Sequence, residues 1–166
     1  MLSYFHILLL LKGAIMRQKN ICYFRQNEST NETVHILDCG YHETTQGQPS
    51  AQTVIDHYVL HCIVKGKGTY QTWHLSAGDC FLLIPNVPIR YQSDACEPWV
   101  YYWIGFDGID ALQIIHLCNI RRHAPVLHYN PIEELTSMIQ PLIFLNSAST
   151  SDCYTALSQF YGICAK

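Results

Sequence analysis

The chain has 166 residues, a net charge of −3 at pH 7 and 10 Lys and Arg residues in all. This length suits one domain, or one domain with a small appendage, and it is long enough to bury a core. The longest basic cluster, Arg121-Arg122-His123, is too short to neutralise several phosphates, so the composition argues against a nucleic-acid groove in this segment. The 11 tyrosines and 3 tryptophans favour β-structure and surfaces that bind flat or ring-shaped partners.

The N-terminal segment MLSYFHILLLLKGAIMRQKN carries an apolar run of about a dozen residues, which is too short to span a bilayer. It also lacks the basic start and the small-residue cleavage site of a secretory signal. We therefore predict a leader and a polar N-terminal arm over residues 1–33, with Met16 as an alternative start of the protein.

The eight cysteines form no C-x-x-C pair and no other short metal-ligand spacing. Several, such as Cys62 and Cys80, lie in apolar runs, where a thiol packs as a small hydrophobic group. Free thiols of this kind fit a reducing compartment, so we expect a cytoplasmic protein.

Short segments separated by turn residues follow from 34 to 106. The segments HYVLHCIV (57–64) and CFLLI (80–84) are apolar at nearly every position, which is typical of strands covered on both faces. KGKG (65–68) and SAGD (76–79) have the composition of tight turns. About seven short strands with turns every eight to twelve residues predict an antiparallel sandwich or small barrel.

Helical patterns dominate the remainder of the chain. DGIDALQIIHLCN (107–119) predicts a helix and PVLHY (125–129) a short strand. Asn130, Pro131 and Glu133 have the pattern of an N-cap, a first helical residue and a capping-box glutamate. The helix that follows has one apolar face. Its members are Ile132, Leu135, Ile139 and Leu142.

Four residues of the last segment recur at the spacing of a helix–helix seam. They are Tyr154, Leu157, Tyr161 and Cys164. Two interpretations follow from this spacing: the helix packs on the chain's own barrel, or it forms a seam between two subunits.

The most aromatic strand, WVYYWIGF (99–106), divides its side chains between two faces. Trp99, Tyr101 and Trp103 share one face by the two-residue period of a strand. Three rings on one face suit either a packed aromatic core or a site in which a sugar ring stacks on the aromatic side chains while polar tips bind its hydroxyl groups.

Segment 57–108, from HYVLHCIVKGKG to YYWIGFDG, resembles the N-terminal effector-binding and dimerisation domain of AraC-type transcriptional regulators. The resemblance is to those of bacterial sugar-utilisation operons in particular. Its most specific parts are the Gly66-Lys67-Gly68 turn, the Leu75–Asp79 turn and the Pro98–Gly108 segment, and it extends over 34–166.

The resemblance implies a mainly β fold with C-terminal helices. A cupin-like antiparallel β-barrel (jelly roll) with one inserted helix is expected over 34–129, and a helical dimerisation segment of two or three helices over 130–166. That segment would join two subunits into a homodimer. The small-molecule effector is expected to be a sugar, and DNA would be bound only through a C-terminal helix-turn-helix domain that is absent from this chain.

The same resemblance implies roles for individual residues. Tyr91, Tyr101 and Trp103 correspond to lumen positions at which the arabinose-responsive member contacts its sugar, with Trp103 as the stacking platform, and the face pattern adds Trp99. Tyr101 stands where that member has histidine, so the ligand need not be arabinose.

A metal-dependent cupin enzyme acting on a small sugar is the alternative. The turn, strand and proline pattern of residues 74–91 occurs in such enzymes, but they would have a histidine ligand where this chain has Arg90. His57 and His61 lie about 13 Å apart along one strand face, too far to share an ion. We therefore predict a binding barrel that is not an enzyme and has no metal and no cofactor.

Overall fold

The computed structural model describes residues 20–24, 33–46, 51–145 and 149–166. These residues form two antiparallel β-sheets that face each other. The larger sheet has the spatial order β1 (Ile21–Tyr23), β2 (His35–Glu43), β9 (Val100–Asp107), β4 (Tyr58–Lys65), β7 (Asp79–Leu83) and β10 (Val126–His128). The smaller sheet has the order β3 (Ala51–Thr53), β8 (Ile89–Ser93), β5 (Lys67–Tyr70) and β6 (Trp73–Ser76).

Strand β9 and the segment leading into it separate two hydrophobic cores. Trp99 and Tyr101 point between the two sheets, whereas Ile104 and Phe106 point to the outer face of the larger sheet. The core between the sheets also contains Val59, Ile63, Tyr70, Leu75, Phe81, Leu83 and Ile89. The predicted division of this segment into two faces is therefore confirmed.

Two tight turns depend on glycine. Gly66, between β4 and β5, has a φ of +75°, and a Cβ there would lie 2.3 Å from the carbonyl oxygen of Pro98. Gly78, before β7, has a φ of +95°, and the neighbouring Asp79 carboxylate accepts a hydrogen bond from the backbone N–H of Ser76 at 2.7 Å. These conformations favour glycine because it has no Cβ, and both predicted turns are confirmed.

The helices cover the outer face of the larger sheet. They are α1 (Ala111–Leu117), α2 (Glu133–Ile139), a 3-10 helix (Gln140–Phe144) and α3 (Thr150–Cys164). Their buried side chains, including Ile115, Leu135, Ile139, Leu142 and Phe160, join one core with the outer face of the sheet. The architecture is therefore a cupin-like β-barrel with mostly C-terminal helices, as expected.

Helix α2 begins later than predicted. It starts at Glu133 with Ile132 as N-cap and has no side-chain cap, so the predicted capping role of Asn130 is wrong. The backbone N–H of Tyr129 still donates to the Gly78 carbonyl at 2.9 Å, so the chain follows the sheet up to that point and turns into the helix only afterwards. The predicted apolar face is confirmed, since all four of its members are buried.

A short strand lies within the segment predicted to precede the first strand. β1 pairs with β2, and Cys22 lies opposite Cys39. Cys22 and Phe24 are 4% and 7% exposed, so burial of these two side chains in the outer core holds the strand at the sheet edge. Most of the predicted leader and arm lies outside the described residues.

Helix α3 is docked by a face other than the predicted seam. Ala156, Phe160 and Ile163 are its buried residues. Tyr154 and Tyr161 of the predicted seam are 51% and 44% exposed, whereas Leu157 and Cys164 are half-buried against the outer core.

Candidate ligand-binding site

The half-buried indole of Trp103 rests directly on the backbone of strand β2. Trp103 lies opposite Gly40, and a Cβ added to Gly40 would lie 2.3 Å from Cζ2 of the indole. Only glycine leaves room for the ring at this position. The indole Nε1–H donates to Oδ1 of Asp38 at 2.8 Å, which fixes the orientation of the ring.

Asp38 reaches the interior because β2 contains a bulge. Ile36 pairs with Phe106 and Asp38 with Gly105, so Leu37 is an extra residue that moves the following side chains to the opposite face. Gly105 is necessary opposite Asp38, since a Cβ there would lie 2.8 Å from the carboxylate. The bulge therefore brings an anionic group next to Trp103.

An imidazole links Asp38 to a second carboxylate at the rim. His57 Nε2 lies 3.3 Å from Oδ2 of Asp38, and His57 Nδ1 lies 2.8 Å from Oδ1 of Asp56. Burial by itself lowers the pKa of His57, but the hydrogen bonds to Asp38 and Asp56 outweigh it and raise the pKa above its ordinary value. The contact favours the imidazolium form, which holds Asp38 in place.

Polar tips of two tyrosines meet beside this platform. The Tyr101 hydroxyl lies 3.0 Å from Nδ1 of His42. It also interacts with the Tyr91 hydroxyl through a side-chain hydrogen bond. Burial, together with Tyr91, raises the pKa of Tyr101 well above its ordinary range, and burial lowers the pKa of His42. Both hydroxyl and imidazole are therefore neutral near pH 7, and they can exchange hydrogen bonds with a ligand hydroxyl.

Trp99 lies deeper than the other three predicted residues. It is 1% exposed, its ring packs over Gly68, and it stacks against Phe81 at a centroid distance of 5.7 Å. The structure brings Tyr91, Tyr101 and Trp103 together in one cluster of rings between the two sheets, with Trp99 at its base.

His61 lies in the middle of these rings. It stacks on Phe81 at 4.6 Å and lies 4.8 Å from Tyr101 and 6.4 Å from Trp103, measured between ring centroids. Its Nδ1 has no hydrogen-bond partner among the described residues. Burial lowers the pKa of His61 to about 3, the neighbouring His42 acts in the same direction, and the Val59 carbonyl opposes them.

The depressed pKa makes the barrel acid-sensitive. The pKa of His61 is near 6.5 in the unfolded chain and about 3 in the folded one. Between these two pH values the unfolded state therefore binds a proton that the folded state does not bind. We therefore expect the free energy of unfolding to fall as the pH falls through this window, by about 2 kcal/mol between pH 7 and pH 5. Urea unfolding of the wild type and of His61→Phe at both pH values measures this term, because His57 and the carboxylates are common to both proteins.

The two proteins should differ in how much stability they lose between pH 7 and pH 5. We expect the loss of stability on acidification to be smaller in His61→Phe by about 2 kcal/mol. An identical loss in the two proteins would show that His61 does not titrate differently in the folded and unfolded states.

Gly40→Ala is expected to displace the Trp103 indole. The new Cβ meets the ring at 2.3 Å and the carbonyl oxygen of Asn20 at 2.6 Å, so either the ring or the edge strand has to move. Overpacking of this kind costs about 1–3 kcal/mol of folding free energy. Tryptophan fluorescence and thermal unfolding measure the displacement, with Gly162→Ala, where the nearest atom is 3.4 Å away, as control.

Arg90 is exposed on β8, while its neighbours Ile89 and Tyr91 belong to the lumen core. In the part of the chain that the structure describes, no three His, Cys, Asp or Glu side chains form a group able to hold a metal ion.

The acidic and histidine side chains of the site, Asp38, His42, Asp56, His57 and His61, are not among the predicted ligand-binding residues. Simple alternation along β2 places Asp38 on the outer face, but the bulge at Leu37 turns it to the lumen face. His42 lies near the end of β2, directly opposite Tyr101. His61 shares its lumen face with Val59 and Ile63, so strand alternation in HYVLHCIV is a sufficient signal for its position.

Aromatic rings and partly buried polar side chains meet between the two sheets, a combination of residues typical of small-molecule sites. The profile of the family described as the AraC-like ligand binding domain matches residues 36–152, and the chain belongs to this family.

Three curated relatives regulate operons, as their names state. The lactose operon transcription activator of Staphylococcus xylosus is 33% identical over 90 residues, which cover 52% of this chain and 32% of that protein. The Msm operon regulatory protein of Streptococcus mutans serotype c is 34% identical over 133 residues, 77% of this chain and 48% of that protein. The raffinose operon transcriptional regulatory protein RafR of Pediococcus pentosaceus is 47% identical over 60 residues, 33% of this chain and 22% of that protein.

The chain thus spans about half the length, or less, of these relatives. Among solved structures, ToxT from Vibrio cholerae aligns with 79% of this chain and 54% of that chain, at 12% identity and a TM-score of 0.46.

No helix within the described ranges is long and apolar enough to cross a membrane.

Proposed function

We propose that this chain is the sugar-sensing domain of an AraC-type regulator and that the sugar binds at the Trp103 platform. The observation that carries the proposal is the Trp103 indole, held over Gly40 by its hydrogen bond to Asp38. A flat ring beside hydroxyl, imidazole and carboxylate groups matches a sugar, which has an apolar C–H face and a rim of hydroxyl groups. Tyr91 and Tyr101 supply the hydroxyls next to this ring.

The names of two relatives support one class of sugar. Two of them are named for a lactose operon and a raffinose operon. Lactose and raffinose are different oligosaccharides that share a terminal galactosyl unit. We therefore propose a galactosyl oligosaccharide as effector, with the galactosyl ring on Trp103.

Signal transmission is proposed to use the C-terminal helices. Tyr154 and Tyr161 are exposed on α3, while the opposite face of this helix is docked on the barrel. This arrangement supports a homodimer formed through Tyr154, Leu157, Tyr161 and Cys164, within a dimerisation segment over 130–166 that follows a ligand-binding barrel over 34–129. Light scattering of Tyr154→Asp/Tyr161→Asp, which should be monomeric yet folded, tests this part.

The complete regulator is proposed to bind its effector without transforming it and to bind DNA. Its relatives are named as regulators rather than enzymes, which supports a domain that binds its ligand without transforming it. DNA would be contacted by a helix-turn-helix domain outside these residues, in the cytoplasm.

A thermal unfolding screen tests the function directly. The probes are raffinose, lactose, melibiose and galactose, with glucose and sucrose as sugars that lack galactose. A ligand at a hundred times its dissociation constant adds about 2.7 kcal/mol, which raises the Tm of a chain of this size by about 5–10 °C. We expect the galactosyl sugars alone to give such a shift.

Two outcomes would contradict the proposal at different levels. A shift with glucose and sucrose but not with galactosyl sugars would overturn the class of sugar. If none of the six probes raised the Tm at about fifty times a millimolar dissociation constant, the sugar-sensing function would be overturned.

A further inference from the structure

His61 carries a polar atom that the described chain leaves unsatisfied. The residue is 4% exposed, and its Nδ1 has no hydrogen-bond partner among the described residues. Burying such an atom costs about 1–3 kcal/mol, and native proteins have few of them. A hydrophobic ring at this position would avoid the cost, so packing alone does not account for a histidine.

The unsatisfied nitrogen belongs to the cluster of rings described above. The ring of His61 faces Tyr101, Tyr91 and Trp103, with centroid distances of 4.8, 5.7 and 6.4 Å. Phe81 supports it from the other side in a nearly parallel stack, with 12° between the planes. The imidazole thus lies at the floor of the proposed sugar site.

The polar groups around His61 restrict the charge of the ligands that can bind here. Burial holds the imidazole neutral near pH 7, so one nitrogen donates and the other accepts. The other polar groups around it, Tyr91, Tyr101 and His42, are neutral at that pH as well. A hydroxyl group can either give or take a hydrogen bond and satisfies these groups, whereas a carboxylate or phosphate would be desolvated. The nearby imidazolium, His57, is already held between Asp38 and Asp56, and the Asp38 carboxylate would repel an anion.

We propose that His61 is a specificity-determining ligand contact, whose Nδ1 forms a hydrogen bond with a ring hydroxyl of a neutral sugar stacked on Trp103. This inference rests on the proposed sugar-sensing function. It assigns the discrimination between neutral and anionic sugars to His61.

Entry of the sugar requires one ring to move, since Nδ1 is shielded in the ligand-free barrel. Tyr91 is the ring best placed to do so. It extends from the opposite, four-stranded sheet, it is half-buried, and its ring centroid lies 6.0 Å from that of Phe81. Rotation of Tyr91 would expose Nδ1 of His61 to a ligand.

Two substitutions separate binding from packing. His61→Phe keeps an aromatic ring on Phe81 but removes both nitrogens, and His61→Asn places an amide near the position of Nδ1. We expect His61→Phe to bind raffinose or lactose at least about tenfold more weakly than the wild type. Its ligand-free Tm should be unchanged or higher. His61→Asn should recover most of the affinity, and His74→Asn, at an exposed histidine of β6, should bind as the wild type does.

A spectroscopic measurement covers the case in which His61→Phe does not fold. In wild-type protein with 15N-labelled histidine, saturating raffinose should shift the Nδ1 resonance of His61 and leave that of His74 in place. An unchanged His61 resonance in the sugar-bound protein would overturn the inference.

The two proposals fail in different ways. If wild type and His61→Phe bind the sugar equally well, the role of His61 is overturned while the sugar-sensing function stands. If galacturonate binds as tightly as galactose, discrimination by the neutral floor is overturned. If the wild type binds none of the six sugars, the proposed function fails and the role of His61 fails with it.

Discussion

Trp103→Ala is expected to weaken sugar binding by roughly 30- to 150-fold, which corresponds to about 2–3 kcal/mol. The indole is the largest flat surface in the proposed site, and its benzo edge is held against Gly40. Without it the sugar loses the apolar surface on which its C–H face is buried. The Asp38 carboxylate also loses the Nε1–H that donates to it at 2.8 Å. Isothermal titration of raffinose or lactose into both proteins measures the difference.

Trp103→Phe is the matched control for this prediction. It retains a flat ring at the same position but removes the donor to Asp38. We expect a loss of affinity clearly smaller than that of Trp103→Ala, together with an unchanged fold by circular dichroism. Equal affinities of the wild type and Trp103→Ala would place the ligand elsewhere in the molecule.

Phe160→Ala is expected to have the largest effect on stability, about 3–5 kcal/mol. Phe160 is 1% exposed, and its ring centroid lies 4.5 Å from that of Phe106 on the outer face of strand β9. The pair joins α3 to the strand that carries Trp103 on its other face. Truncation leaves a cavity between helix and sheet that the surrounding side chains fill only in part. Urea unfolding should show the loss, with a fall in Tm of about 10 °C or more.

The adjacent residue supplies the control. Tyr161 is 44% exposed on the same helix, so Tyr161→Ala should change the free energy of unfolding by less than about 1 kcal/mol. If both variants lost the same stability, α3 would not be docked through the face that contains Phe160. A loss of dimer in Tyr161→Ala at unchanged stability would support the proposed seam.

Strand alternation was enough to predict which rings point into the barrel. Tyr101 and Trp103 share the lumen face as their two-residue spacing requires, and the turns at Gly66 and Gly78 were evident from composition. The depth of each ring was not predictable in the same way. Trp99 is buried at the base because it packs over Gly68 of β5, a contact between sheets that no pattern along β9 contains.

The polar part of the site was the least accessible to sequence reasoning. Asp38 enters the lumen only because Leu37 is inserted into the pairing of β2 with β9. A bulge shifts every later side chain by one face, and its position depends on both strands. The late start of α2 also depends on a contact distant in sequence, since the backbone N–H of Tyr129, next to the predicted cap Asn130, donates to the Gly78 carbonyl.

The central claim is that the sugar binds against Trp103, and the indole N–H resonances test it most directly. The chain has 3 tryptophans, so a 15N spectrum contains three indole signals, and Trp103→Phe identifies one of them. Titration with raffinose or lactose is predicted to shift the Trp103 signal most strongly and to saturate with the same dissociation constant as calorimetry. A Trp103 signal that stays in place while calorimetry reports a bound sugar would contradict the account.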